Sequence, residues 1–135
     1  MDTRSGPLTA EQLEVLASLP QDTPIVMLNL LRFRYQAAYD DPAEACSGRE
    51  AYKRYSQTSL QTIAAVGGSV IFSGKAHASL IAPPGERWHQ IFLVRYPSVA
   101  AFRSMMAMPQ YQACVRHREA ALEDSRLVPI TPYSP

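Results

Sequence analysis

The sequence predicts one α+β domain in which two strand–helix–strand units share an antiparallel sheet. Three observations carry this. The chain has 135 residues of which 47% are apolar, which suits a single domain with one hydrophobic core rather than a disordered chain. Apolar runs of strand length alternate with helical patterns that begin at capping residues. After a first short helix, the order of these elements reads β-α-β-β-α-β.

Residues 1–23 read as a helical extension, and 24–131 as the core of a single domain spanning 1–135. A helix is expected near 9–19. Thr9 and Gln12 have capping-box spacing, and Leu8 can staple onto Leu13. Leu13, Leu16 and Ala17 give it a narrow apolar stripe, and Pro20 ends it. The run Ile25–Phe33 is apolar on both alternating faces apart from Asn29 and Arg32, the pattern of a central strand covered on both sides. Residues 34–47 have no clean period and read as a loop longer than an ordinary connection; such loops are often functional or mobile.

Ser47-Gly48-Arg49-Glu50 is a capping box and opens the next helix. Tyr52, Tyr55, Ser59, Leu60, Ile63 and Val66 fall largely on one side. Arg49, Lys53 and Arg54 read as the solvated face, and Gly67-Gly68 ends the helix. A strand over about 69–81 follows, with Gly74 as a candidate bulge. A turn at 82–86 then leads to a strand over about 88–96, making an antiparallel hairpin. Ser98 caps a third helix with Phe102, Met105 and Met106 on its apolar face. Pro109 restarts a fourth, where Tyr111, Cys114, Val115, Arg118 and Leu122 recur at helical spacing. Asp124-Ser125 reads as a turn into a last strand, Arg126–Thr131. The whole is ferredoxin-like, a βαββαβ protomer with an antiparallel sheet and helices on one face. The first strand is apolar on both faces, so a second copy laid on the open face is expected.

Composition excludes several classes. A net charge of +1 without a dense basic run argues against nucleic acid, whose phosphates demand a basic face. Apolar runs are of strand length, too short to span a membrane. Met1–Pro7 carries no apolar segment behind a positive start, so no signal peptide is expected. Cys46 and Cys114 lack metal-ligand spacing, and the reducing cytoplasm is the expected compartment. Cys114 reads as a small core residue. Cys46 sits in a polar loop, where a reactive thiol is the alternative to an inert one.

Several strings resemble a known family when taken together. They are Met27-Leu28-Asn29-Leu30-Leu31-Arg32-Phe33, Ser47-Gly48-Arg49-Glu50-Ala51-Tyr52, Gly67-Gly68, Leu93-Val94-Arg95-Tyr96-Pro97-Ser98 and Pro109-Gln110-Tyr111-Gln112. Over roughly 24–131 the chain resembles the domain of unknown function 1330 family, in the dimeric α+β barrel superfamily. The resemblance implies a homodimer whose sheets form a barrel. It also implies a pocket between each sheet and its helices, or in the barrel mouth. It names no reaction, because that superfamily holds cofactor-free monooxygenases, haem-degrading enzymes, lactone isomerases and plain binding proteins. The chain departs from the family pattern at Met108, where a polar cap is usual, and at Trp88-His89, where a tryptophan–aspartate pair is usual.

Asn29 is the only asparagine and sits in mid-strand, where asparagine is depleted. It either makes an internal hydrogen bond or orients a ligand carbonyl. Tyr52 and Tyr55 are either core packing or phenols reaching the same pocket. Tyr96 and Tyr111 read the same way. Arg32 and Arg95 either clamp a carboxylate or pair with acids at the rim. His77 and Tyr55 are the candidates to move a proton. Some haem-degrading relatives combine an asparagine, a tryptophan and a histidine; Asn29 and Trp88 are available for that. His77, His89 and His117 are the imidazoles, and His117 reads as surface. Trp88 is otherwise a core or rim aromatic. The ligand-binding candidates are thus Asn29, Arg32, Tyr52, Tyr55 and Trp88, with no metal site and no cofactor expected. The readings left open are a small-molecule binder with cofactor-free chemistry on a carbonyl or aromatic compound, a non-catalytic binding or interaction protein, and a haem-degrading-type monooxygenase.

Overall fold

A computed structural model of the chain describes residues 8–133. The leader reading at Met1–Pro7 lies outside the described residues, as does the first part of the expected extension. In chain order the elements are α1 (Ala10–Ser18), β1 (Ile25–Phe33), a 3-10 turn at Pro42–Glu44, α2 (Gly48–Ala65), β2 (Ser69–Lys75), β3 (Gln90–Tyr96), α3 (Val99–Ala107), α4 (Pro109–Ala121) and β4 (Leu122–Ile130). The strands form one sheet ordered β2-β3-β1-β4, antiparallel throughout. This is the ferredoxin-like α+β arrangement expected from the sequence, with β1 central. Among the described residues no helix is long and apolar enough to cross a membrane.

β1 alternates between buried and half-buried residues. Ile25, Met27, Asn29, Leu31 and Phe33 are buried under the helices. Val26, Leu28 and Leu30 face the other way and are only half-buried, so a single chain does not cover both faces. Across the ladders, Leu28 pairs with Leu93 and Val128, Leu30 pairs with Ile91, and Phe72 of β2 pairs with Leu93. Directly paired residues share a face, so these side chains make one apolar surface. Phe72 and Val128 are exposed on it.

Under the helices the core is split. One cluster joins Leu31, Phe33, Ala51, Tyr52, Tyr55, Cys114 and Leu122. The other joins Leu16, Ile25, Met27, Ile63, Val94, Tyr96, Phe102 and Met105. Asn29 sits on β1 between Met27 of one cluster and Leu31 of the other. Phe92 and Tyr111 pack against both.

Helix ends follow the chemistry of their caps. At α1 the Thr9 hydroxyl accepts from the Gln12 N–H, and Gln12 returns a bond from its side-chain oxygen to the Thr9 N–H. Its apolar stripe is narrower than expected. Only Leu16 is buried, with Leu13 and Ala17 exposed, because this short helix brings one turn to the edge of the core. At α2 half of the expected box forms: Ser47 Oγ accepts from the Glu50 N–H, while the Glu50 carboxylate turns to Lys53 at 3.6 Å. Leu60 is exposed, and Ala51 and Thr62 face inward instead. The C-terminus is a Schellman motif. Gly67 takes φ 81°, and the Gly67 and Gly68 N–H groups donate to Ala64 and Ile63 carbonyls.

Two strand boundaries differ from expectation. β2 ends at Lys75 rather than near 81, and its last pairing is the Ala76 N–H to the His89 carbonyl. Residues 76–89 then form a loop, with Leu80 and Ile81 almost fully exposed. Pro83 and Pro84 have no N–H for a ladder, and no neighbouring strand reaches this segment. The ladder irregularity falls between Val70 and Phe72, not at Gly74, which pairs with Ile91. β4 starts at Leu122 rather than 126. Asp124 stays in the ladder opposite Arg32, its carboxylate accepting from the Ser125 N–H and from Arg126.

The segment 34–47 is tied down. The Arg34 and Ala38 N–H groups donate to Ala121 and Ala120 carbonyls at 2.8 Å, and the Gly48 N–H donates to the Arg34 carbonyl. Tyr39 bonds through its hydroxyl to His117 Nδ1. His117 is therefore half-buried and engaged, not surface as expected. Arg54 likewise donates to the Glu44 carbonyl instead of standing in solvent.

Candidate functional site

A half-open cavity of about 1290 Å³ is lined by residues of both core clusters, among them Tyr52 and Tyr55 of one and Met27, Val94 and Met105 of the other. Its sheet side carries Met27 and Asn29 of β1, Phe92 and Val94 of β3, and Leu127 of β4. α2 supplies Tyr52, Tyr55 and Ser59; α3 supplies Met105; α4 supplies Tyr111 and Arg118.

Asn29 is 8% exposed, and its Nδ2 donates to the Met27 carbonyl at 3.2 Å. A carbonyl only accepts, so the amide nitrogen must face it. The other end, Oδ1, makes no hydrogen bond among the described residues, and it is not fully buried. The chain thus buries an amide and uses half of it internally.

Three phenols face the same space. The Tyr55 and Tyr111 hydroxyls are 3.0 Å apart. Tyr52 packs on Tyr55, with ring centroids 5.2 Å apart, and edge-on to Phe33. Burial raises the Tyr52 and Tyr55 pKa values well above the usual phenol value, partly opposed by the positive charge of Arg118. Both are therefore held protonated, as hydrogen-bond donors. Tyr96 is raised by burial as well, but its hydroxyl is used on Met105 Sδ at 3.6 Å.

The structure therefore brings Asn29, Tyr52 and Tyr55 together around one cavity. It places Arg32, His77 and Trp88 outside its lining. Arg32 is on the opposite face of β1, its Nε 3.2 Å from a Glu123 carboxylate oxygen at an angle too poor for a good hydrogen bond. His77 is exposed on the 76–89 loop. Trp88 is buried under the Arg126 guanidinium, 5.0 Å from the ring centroid, and Arg126 is held by Asp124 and Glu86. His89 extends the sheet: its Nδ1 accepts from the Phe33 N–H at 2.9 Å, and its own N–H donates to the Leu31 carbonyl. Arg95 is exposed.

Sequence reasoning did not single out Arg118 for the site and left Tyr111 open between core packing and a phenol reaching the pocket. The signal was present, since Tyr111, Cys114 and Arg118 lie on one helical stripe and Cys114 is buried. Cys114 donates to the Tyr111 carbonyl, and burial raises its pKa, which fits a structural thiol. Among the described residues no group of three or more His, Cys, Asp or Glu side chains could hold a metal ion.

The strand order and the helices define a ferredoxin-like α+β protein. The chain belongs to the family described as Domain of unknown function (DUF1330), whose model matches residues 35–130. It is similar to the RPA0582 protein of unknown function from Rhodopseudomonas palustris. Identity there is 39%, the match covers 99% of this chain and 100% of that one, and the TM-score is 0.89. A methylated form of RPA0582 matches at 40% identity over 99% and 98% of the two chains, with a TM-score of 0.90. At3g17210 from Arabidopsis thaliana shares the fold alone, at 17% identity over 82% and 96% of the chains and a TM-score of 0.53. None of the curated proteins matches the chain.

Proposed function

We propose that this protein binds a small carbonyl-bearing or aromatic compound in the cavity, and acts as a homodimer joined through the open faces of two sheets. The observation that carries the first part is Asn29. Burying an amide costs about 1–3 kcal/mol unless its partners are supplied. A purely structural asparagine would use both ends, whereas this one lines the cavity and leaves Oδ1 without a hydrogen bond among the described residues. Aromatic and apolar walls around a few convergent polar groups are the usual form of a small-molecule site.

In the enzymatic version of this reading, the chemistry is proton or oxygen chemistry run without a metal or nucleotide. Buried, protonated phenols suit donation to an oxygen that gains negative charge, better than they suit proton abstraction. Tyr55 fills that role from within the cavity. His77, the other candidate, stands on the exposed loop.

The homodimer rests on the apolar surface formed by Leu28, Leu30, Ile91, Leu93, Phe72 and Val128. A contiguous apolar face of this kind is a common mark of an interface. Both cysteines are free, which fits a reducing cytoplasm.

The test uses 4-hydroxyacetophenone, an aromatic carbonyl compound, titrated into the labelled full-length protein. Amide resonances of β1, α2 and α4 should move, and Asn29→Ala should abolish the shifts while elution volume and far-UV spectrum stay unchanged. An absence of shifts in the wild type would sink this reading. It would favour the non-catalytic interaction protein, for which the exposed Leu80 and Ile81 speak. The haem-degrading reading finds no support at the cavity, since neither a histidine nor a tryptophan is among its lining residues.

A further inference from the structure

Resting on the cavity reading above, we propose that the ligand is an uncharged hydroxyaryl ketone, its hydroxyl donating to Asn29 Oδ1 and its carbonyl accepting from Tyr52. The sheet side sets the first requirement. Asn29 pairs with Phe92 of β3 and Leu127 of β4, and its neighbours on the same face of β1 are Met27 and Leu31. All four side chains are apolar, so the sheet offers the amide no side-chain partner. Its nitrogen is committed to the Met27 carbonyl, and Oδ1 is left over. An amide oxygen only accepts, so the ligand has to bring an O–H or an N–H. A bare carbonyl is the wrong group to meet Asn29.

On the helix side the polarity is reversed. Tyr52 lines the cavity and is 9% exposed, and its hydroxyl makes no hydrogen bond among the described residues. Its ring lies 6.5 Å from that of Phe92, the residue opposite Asn29. Burial holds this phenol protonated, so it has a hydrogen to donate. The Tyr55 and Tyr111 hydroxyls share one hydrogen bond between them, which leaves a second hydrogen over. A carbonyl oxygen has two lone pairs and takes donors of this kind without bringing one of its own.

Between the two ends, Met27, Phe92 and Val94 on the sheet suit a ring. The absence of charge follows from the surroundings. The burial that raises Tyr52 and Tyr55 penalises any anion, so a ligand carboxylate beside them meets the same cost. Two arginines lie on the lining, and both are occupied. Arg126 is held by Asp124 and Glu86, and Arg118 has an interaction of its own. Neither is a spare counter-charge.

The experiment compares 4-hydroxyacetophenone, its phenol protonated, with three compounds that each change one feature. Acetophenone lacks the hydroxyl, 4-ethylphenol lacks the carbonyl, and 4-hydroxybenzoate carries a charge. Dissociation constants are measured by calorimetry on the full-length protein, with amide shifts locating each compound. 4-Hydroxyacetophenone should bind about tenfold or more tightly than any of the three, the scale of one well-made buried hydrogen bond. Asn29→Leu should erase the preference over acetophenone. Tyr52→Phe should erase the preference over 4-ethylphenol and melt with the wild type, because the lost hydroxyl has no partner within the described residues. If a variant fails to fold, the four-compound comparison on the wild type still decides. Binding of any of the three as tightly as 4-hydroxyacetophenone, or a folded variant that keeps its preference, overturns the hydroxyaryl ketone inference and leaves the cavity reading standing. Failure of 4-hydroxyacetophenone to bind removes both.

Discussion

The Tyr55 hydroxyl meets the Tyr111 hydroxyl at 3.0 Å, and this contact joins α2 to α4 beside the cavity. The rings meet edge-on at 6.1 Å. Removing one hydroxyl leaves its buried partner unsatisfied, whereas removing both leaves two apolar rings in contact. Tyr111→Phe should therefore cost about 1 kcal/mol, and the double change with Tyr55→Phe should cost less than the sum of the singles. Urea unfolding of the four proteins in the cycle measures this. Additive costs would mean that the two phenols do not stabilise one another.

Acid should weaken the fold through His89. Its Nδ1 accepts from the Phe33 N–H, and protonation would abolish that acceptor. The folded pKa is lowered from 6.5, first by burial and then by the charges of Arg49, Arg87 and Arg32, with Glu123 opposing. The unfolded chain then binds a proton at pH values where the folded chain does not. The stabilisation is complete above pH 6.5 and is lost as pH falls through the lowered folded value. His117, lowered chiefly by burial, acts in the same direction. Urea midpoints should fall between about pH 7.5 and about pH 5. His89→Asn, which keeps an acceptor but does not titrate, should flatten part of that slope. An unchanged slope would assign the pH dependence to other groups.

How much of this was legible in the sequence depends on whether the deciding force is local. Thr9, Ser47, Ser98 and Gly67 act on the backbone within a few residues, so helix starts and stops could be read directly. β1 was legible because nine residues carry an uninterrupted strand pattern. The end of β2 was not, because Leu80 and Ile81 look like strand residues yet have no partner to pair with. The start of β4 was missed for the opposite reason. Asp124 and Ser125 have turn chemistry, but pairing with Arg32 and Leu31 overrides it. At the site, Asn29 stood out because an amide in an apolar strand is anomalous. Arg118 did not, because an arginine on a helix is ordinary until the facing helix and sheet are known.

Two glycines should fail for different reasons. At Gly67 there is room for a methyl group, the nearest atom being 3.4 Å away, but φ is positive. Gly67→Ala should cost about 1–2 kcal/mol from backbone conformation. At Gly48 a Cβ would lie 2.3 Å from the Arg34 carbonyl oxygen and 2.7 Å from that of Ala121. Both contacts are backbone, so the 34–47 segment would have to shift. Gly48→Ala should therefore cost more than Gly67→Ala in parallel thermal melts, and the reverse order would contradict this packing.

The open sheet face gives a direct test of assembly. The proposed homodimer should elute with twice the protomer mass at micromolar concentration. Leu93→Glu places a charge among Leu28, Phe72 and the facing copy, and should shift the mass toward one protomer with little change in helix content. A wild type that is monomeric by light scattering would refute the proposed interface.

Asn29→Leu separates a structural asparagine from a functional one. Leucine removes one hydrogen bond to the Met27 carbonyl and fills similar volume between the two core clusters. If Oδ1 has no internal duty, the net change in stability should be small, within about 1 kcal/mol, because the lost bond is offset by apolar burial. Ligand binding at the cavity should disappear at the same time. A variant that unfolds, or that melts far below the wild type, would show Asn29 to be part of the scaffold. A variant that is stable and still binds 4-hydroxyacetophenone with full affinity would remove Asn29 from the site. Only the combination of a stable fold and lost binding fits an amide that is buried at a cost to the core and turned toward a ligand.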